Sequence, residues 1–148
     1  MNQVRPSEQM RGLGVVQHGA PVLAESARAS ALPAERDAVE RVVEQLFSAM
    51  ERIGQMHPFA KGMGLAAPQI AIARAAAVVQ PPDSVALAIV LLNPRITGRS
   101  DVEDEQFEGC LSFFDVCGLV PRSLRVAVET ATPEGQVLTT TYDRGLPR

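Results

Sequence analysis

Two short segments carry the residue types with chemical potential in this chain. Residues 62–69 read Gly-Met-Gly-Leu-Ala-Ala-Pro-Gln, a flexible pair of glycines followed by small residues and ending on the amide side chain of Gln69. Residues 108–112 read Glu-Gly-Cys-Leu-Ser, with the Cys110 thiol between Gly109 and the backbone N–H of Leu111. Amide and backbone N–H groups donate hydrogen bonds, and a thiolate is a soft metal ligand. Taken alone, Cys110 reads as a small buried hydrophobe, since free cysteine is often buried and inert.

The other titratable groups add little. His18 and His57 are the two histidines, and neither belongs to an i, i+4 pair. They read as a loop histidine and a helix-end histidine, the latter favoured by the helix dipole, rather than as ligands. Asp101–Glu105 is acidic and reads as a solvated loop rather than a metal site. Cys117 has no Cys-x-x-Cys geometry with Cys110, and reads as a neutral substitution.

The elements that position these segments follow from hydrophobic periodicity. The first ten or so residues are polar and are expected to be loose. Ser30-Ala31-Leu32-Pro33-Ala34-Glu35 reads as a helix entrance, with Pro in the first turn and acids at the positive end of the dipole. Val39, Val42, Val43, Leu46, Phe47, Met50 and Ile53 recur at helical spacing. This predicts an amphipathic helix from about 34 to 53, closed by Gly54. Strands are predicted at Ala75–Val79, Val85–Leu92, Leu124–Glu129 and Val137–Tyr142, the last two joined by a Thr132-Pro133-Glu134-Gly135 turn. One helix followed by mostly antiparallel strands is an α+β domain.

Composition sets the class. The chain has 148 residues, 46% hydrophobic and 21% charged, with a formal net charge of −3. That is one domain over residues 1–148 with enough apolar surface for a packed core. It carries no electrostatic footprint for nucleic acid or an anionic membrane surface. No apolar run reaches the ~18 residues of a spanning helix, so the expected location is the cytoplasm, where a disulfide between Cys110 and Cys117 is not expected.

The two segments together, in this order and with Leu119-Val120-Pro121-Arg122 after the Cys, resemble the peptide deformylases. These are metal hydrolases that remove the formyl group from N-formylmethionyl nascent chains. The resemblance runs from about Gly14 to Gly145 and implies mostly antiparallel sheets around a helix. Cys110 would be one ligand of an Fe2+ or Zn2+ ion, which lowers the pKa of bound water towards ~7. The Gln69 amide and the Leu111 N–H would donate to the developing oxyanion. Gly62, Met63 and Gly64 would bind the peptide by strand addition. Glu108 and Arg122 would pair to brace the Cys loop.

Two departures qualify the resemblance. The family's His-Glu-x-x-His motif, with two metal ligands and the general base, is absent up to Arg148, and Cys117 stands where an Arg is common near the substrate channel. The chain thus reads as a truncated deformylase-like domain lacking the C-terminal metal-binding helix. By itself it is expected to be inactive, to hold no metal, and to leave an apolar sheet face open and the packing loose. The alternatives are a noncatalytic module that binds protein N-termini, or one half of a split deformylase whose partner supplies the missing helix.

Overall fold

Helix α3 (Arg36–Met56) forms where the apolar stripe predicts it, and buries Val39, Leu46, Ala49, Met50 and Ile53. Phe47, at the margin of that stripe, stays 37% exposed. In the computed structural model, which describes residues 3–59, 62–82 and 87–143, the helix starts two residues later than predicted and passes through Gly54. A glycine inside a helix costs about 1 kcal/mol relative to alanine. The full burial of Ile53 beside it outweighs that cost. The helix ends at His57, whose extended backbone (φ −139°, ψ 105°) is the conformation that the following Pro58 favours.

Glu35 occupies the position before α3 but does not cap it with its side chain. Its carboxylate instead accepts from the Ala31 N–H at 2.6 Å, Arg28 at 2.9 Å and Arg74 at 3.2 Å. These bonds hold the carboxyl down at about pKa 2, with the Arg28 hydrogen bond the largest cause.

The N-terminal segment is ordered, against expectation. Residues Pro6–Gly12 form helix α1, and Met10 on it is fully buried. Ser7 ties the helix to a distant strand, its N–H donating to Asp115 Oδ1 at 3.0 Å and its hydroxyl to Oδ2 at 2.7 Å. A short turn of helix, α2 (Pro21–Ala24), follows.

Among the described residues the strands form three antiparallel sheets. Strands β1 (Met63–Ala66), β2 (Ala76–Gln80) and β3 (Ile89–Leu92) lie in the order β1-β2-β3, with Gly64 opposite Val79 and Val78 opposite Val90. Helix α3 packs on this sheet, and Leu46, Ile53, Leu65, Ala67 and Val78 make the centre of the core. The predicted strand at Val85–Leu92 is observed from Ile89, and its first two residues lie outside the described ones. The motif segment Met63–Ala66 was not predicted as a strand.

Strands β4 (Arg95–Arg99), β7 (Arg125–Ala131) and β8 (Val137–Asp143) form the second sheet in the order β4-β7-β8. The β7–β8 hairpin closes as predicted, with the Gly135 N–H donating to the Thr132 carbonyl at 2.9 Å. Gly135 has φ +91°, the left-handed residue that follows a type I turn in such hairpins. Strands β5 (Glu103–Cys110) and β6 (Phe113–Ser123) form the third sheet. Glu103–Glu105 therefore start a strand rather than sitting in a solvated loop. Along β5 the half-buried positions are Asp104, Gln106 and Glu108, while the apolar Phe107 is 63% exposed. Phe113, Val116 and Leu119 on β6 are also at least half exposed.

Candidate functional site

Strand β5 ends at Cys110 and the chain reverses through Leu111 and Ser112 into β6. Cys110 is paired with Phe113, so the reversal is tight. Both reversal residues are buried, each 6% exposed, and so anchor the exposed thiol. Two other segments hold them. Gln17 Nε2 donates to the Leu111 carbonyl at 2.9 Å, and the His18 N–H donates to the Ser112 carbonyl at 2.6 Å. Gln69 Nε2 donates to Ser112 Oγ at 3.2 Å.

Gln69 sits in a single 3₁₀ turn, Ala67–Ile70, immediately after β1. Its side-chain Oε1 accepts from the Ala66 N–H at 2.9 Å, which turns the NH2 group towards the Cys110 loop. Nε2 lies 3.9 Å from Cys110 Sγ, a long sulfur contact. The backbone closes the arrangement, since the Val16 N–H donates to the Gln69 carbonyl at 2.8 Å. The two motifs that the sequence singled out are thus in contact.

These groups open onto a cleft of about 760 Å³ that Gly62, Met63, Gly64, Gln69, Glu108, Cys110, Leu111 and Arg122 all line. Every residue the sequence nominated for the site therefore lies on one cleft. Gly62 has φ +83°, and a Cβ on it would stand 2.5 Å from the Gln80 carbonyl oxygen. Its glycine identity answers a backbone requirement within the fold, whereas Gly64 has no such neighbour closer than 3.9 Å. Arg122 Nη2 donates to Glu108 Oε1 at 2.9 Å, and Nε donates to both carboxylate oxygens at 3.3 and 3.2 Å. The Glu108 hydrogen bond raises the Arg122 pKa above its ordinary value.

Neither histidine joins Cys110 in a ligand set. The His18 ring meets the Phe113 edge with centroids 5.1 Å apart, and the His57 ring meets Phe114 at 5.3 Å. Among the described residues there is no group of three or more His, Cys, Asp or Glu side chains able to hold a metal ion. The donor set present therefore does not fit the metal that the motifs imply. Cys117, exposed, stands opposite Gly109 in the β5–β6 register.

Sequence reasoning missed Gln17, Ser112 and Phe114. Ser112 was inside a recognised motif, and that was its available signal. Gln17 is a single polar residue after two valines, and nothing in the sequence ties it to a carbonyl 94 positions away. Phe114 lines the cleft because β6 makes an excursion, as Cys110 pairs with Phe113 and Gly109 with Cys117.

Comparison with known proteins agrees with this geometry. Residues 13–146 match the family model for polypeptide deformylase. A peptide deformylase of Desulforudis audaxviator is 34% identical over 122 residues, covering 82% of this chain and 72% of the relative. One from Natranaerobius thermophilus is 34% identical over 98 residues, covering 66% of this chain and 57% of the relative, so the chain spans little more than half of that protein. Among solved structures, a class I type b peptide deformylase from Acinetobacter baumannii superposes with a TM-score of 0.74 at 26% identity, covering 88% of this chain and 82% of that one. The Thermotoga maritima peptide deformylase gives 0.71 at 25% identity, covering 87% and 80%. With both motifs meeting on one cleft and a family match over most of its length, this chain belongs to the polypeptide deformylase family.

Proposed function

We propose that the cleft binds N-terminal formyl-methionyl peptides, and that the protein serves their metal-dependent deformylation in the cytoplasm. The observation that carries the reading is the meeting of Gln69 and the Cys110 loop beside an edge strand. Strand β1 lies at the edge of its sheet, so an extended peptide has a row of backbone groups to pair with along Met63 and Gly64. The Gln69 NH2, already turned by Ala66, and the Leu111 N–H are the proposed donors to the oxygen of the formyl group. Removing one such donor typically costs about 10²–10³ in kcat. The Glu108–Arg122 pair holds β5 against β6 and so fixes the approach of the Cys110 loop.

Iron or zinc, when bound in this family, supplies the activated water. Residues 1–148 contain no His-Glu-x-x-His segment, so we propose that by themselves they bind no stoichiometric metal and release no formate. The two ligands and the base would then come from residues outside these 148, on the same or another polypeptide. The cleft alone supports the second reading, a noncatalytic binder of formylated N-termini, because the peptide-binding edge needs no metal.

The test uses residues 1–148 with and without a fused segment bearing His-Glu-x-x-His, loaded with ferrous iron. Formate release from formyl-Met-Ala-Ser is expected with the segment and not without it, and Cys110→Ser should abolish it. Metal-dependent turnover by residues 1–148 alone would refute the assignment of the missing roles. Tight peptide binding that the added segment never converts to turnover would establish the noncatalytic reading.

A further inference from the structure

A strand at the edge of a sheet presents unpaired backbone N–H and C=O groups, and pairs with another strand unless something blunts it. Most edges of this fold are blunted. Strand β1 lines the cleft along Met63 and Gly64, and β3 has only four residues. Strand β4 carries Arg95 and Arg99, and its ladder shifts between Ile96 and Gly98. Strand β5 carries Glu103, Asp104, Glu105 and Glu108, while β6 carries Pro121 and Arg122.

Strand β8 has none of these devices. Its seven residues, Val137–Asp143, pair with β7 in one unbroken register and include no Pro, Gly, Lys or Arg. Among the described residues its backbone bonds to no segment other than β7. Val137 and Leu138 are more than half exposed. The one charge on the strand, Asp143, accepts from Arg125 Nε of β7 at 2.7 Å and so is neutralised within its own sheet.

The sequence of β8 also says what fits beside it. Antiparallel pairing of two copies about a two-fold axis through Thr140 sets Thr140 against Thr140, Thr139 against Thr141, Leu138 against Tyr142 and Val137 against Asp143. Threonine pairs and aromatic–aliphatic pairs are favourable across strands, and no like charges meet. Residues 138, 140 and 142 share one face of the strand. On that face Leu138 lines an apolar groove of about 510 Å³ with Val39, Val43, Val90 and Leu92. Tyr142 of the second copy would stand next to Leu138 and extend the apolar cover of the groove.

We propose that β8 is a homodimerisation edge, through which two copies of the chain join their three-stranded sheets into one of six strands. No residue of β8 lines the cleft, so the inference is independent of the peptide-binding reading. One strand pair is a small interface, and the dimer forms reversibly with concentration.

Sedimentation equilibrium of the 148-residue chain should show a monomer–dimer equilibrium. Thr140 is exposed, so substitutions there leave the core untouched, which circular dichroism checks. Thr140→Lys should weaken association at least about tenfold, because two ammonium groups meet on the axis. Thr140→Glu should do the same, and an equimolar mixture of the two variants should associate more tightly than either alone. Val137→Lys, placed opposite Asp143, should not weaken the dimer. A wild type that stays monomeric up to about 1 mM, a dimer indifferent to Thr140→Lys, or a mixture no tighter than its components would overturn the proposal. Growth beyond the dimer would overturn it as well, since a two-fold pairing is closed.

Discussion

Replacing Gln17 by Glu changes the shape of the side chain hardly at all and inverts its chemistry. Gln17 is 7% exposed, and its Nε2 donates to the carbonyls of Leu111 at 2.9 Å and Val15 at 3.3 Å. In Gln17→Glu an ionised carboxylate would face those two oxygens with no proton to offer. Burial and acceptor–acceptor repulsion both push the introduced carboxyl's pKa up, and a rise of about 2 units above the usual ~4.3 is modest for so buried a site. At 1.36 kcal/mol per unit, the variant loses about 3 kcal/mol of stability once pH exceeds the raised pKa. The sign is fixed by proton binding. Between the unfolded and folded pKa values the native state holds the proton and the unfolded state does not, so stability falls as pH rises. Below about pH 4.3 both states are protonated and the carboxyl can donate to Leu111, so the variant should come within about 1 kcal/mol of wild type. Urea unfolding of both proteins at about pH 4 and pH 8 measures the difference directly. A gap between variant and wild type that is the same at both pH values would refute the buried-donor role of Gln17.

Three further outcomes are expected. Gly62→Ala should cost at least about 1–3 kcal/mol in urea unfolding, because φ is +83° and the new Cβ meets the Gln80 carbonyl at 2.5 Å; Gly64→Ala, whose Cβ would make only ordinary contact with Val79 at 3.9 Å, should cost less than about 1 kcal/mol, and equal effects would contradict the distinction. Met10→Ala should destabilise by about 2–5 kcal/mol, since its side chain is fully buried, and a neutral result would mean that α1 is not docked. The Glu35 carboxyl, lowered from 4.5 to about 2, supports the fold above its unfolded pKa and ceases to as pH falls through that interval; acid unfolding of Glu35→Gln should therefore be flatter there than that of wild type, and superimposable curves would remove Glu35 from the account.

The parts of the fold that were legible in the sequence are those whose signal is local. The α3 stripe from Val39 to Ile53 repeats over several turns, and the Pro133–Gly135 turn states its own geometry. Gly54 misled because a stop signal is a weak local preference, and burial of Ile53 overrides it. Strand β5 was hidden because its half-buried positions are Asp104, Gln106 and Glu108, polar residues that suggest a loop. Helix α1 was hidden because it has seven residues and is fixed by one buried methionine and by Asp115, 108 positions away. The same division runs through the site. Gln69, Cys110, Leu111, Glu108 and Arg122 belong to recognisable segments, whereas Gln17 and Phe114 matter through what the fold brings beside them.

That division bears on what the thiol loop is. A sequence that leaves one thiol between a glycine and a leucine suggests a flexible loop which a metal would have to organise. The structure argues otherwise, because the two residues after Cys110 are buried and receive hydrogen bonds from Gln17, His18 and Gln69. None of those bonds involves the sulfur, which Gln69 Nε2 approaches at 3.9 Å. The scaffold therefore sets the position of Cys110 through its neighbours' backbone, with the thiol exposed on the cleft. Under the proposed peptide-binding reading, a loop held this way need not be ordered when the peptide arrives, which lowers the entropic cost of filling the cleft. It also joins the two demands on the loop, since the Gln69 side chain both pins Ser112 and is the proposed donor. Placement of the thiol and placement of the donor are thus one structural decision, made where β1 turns into Ala67–Ile70.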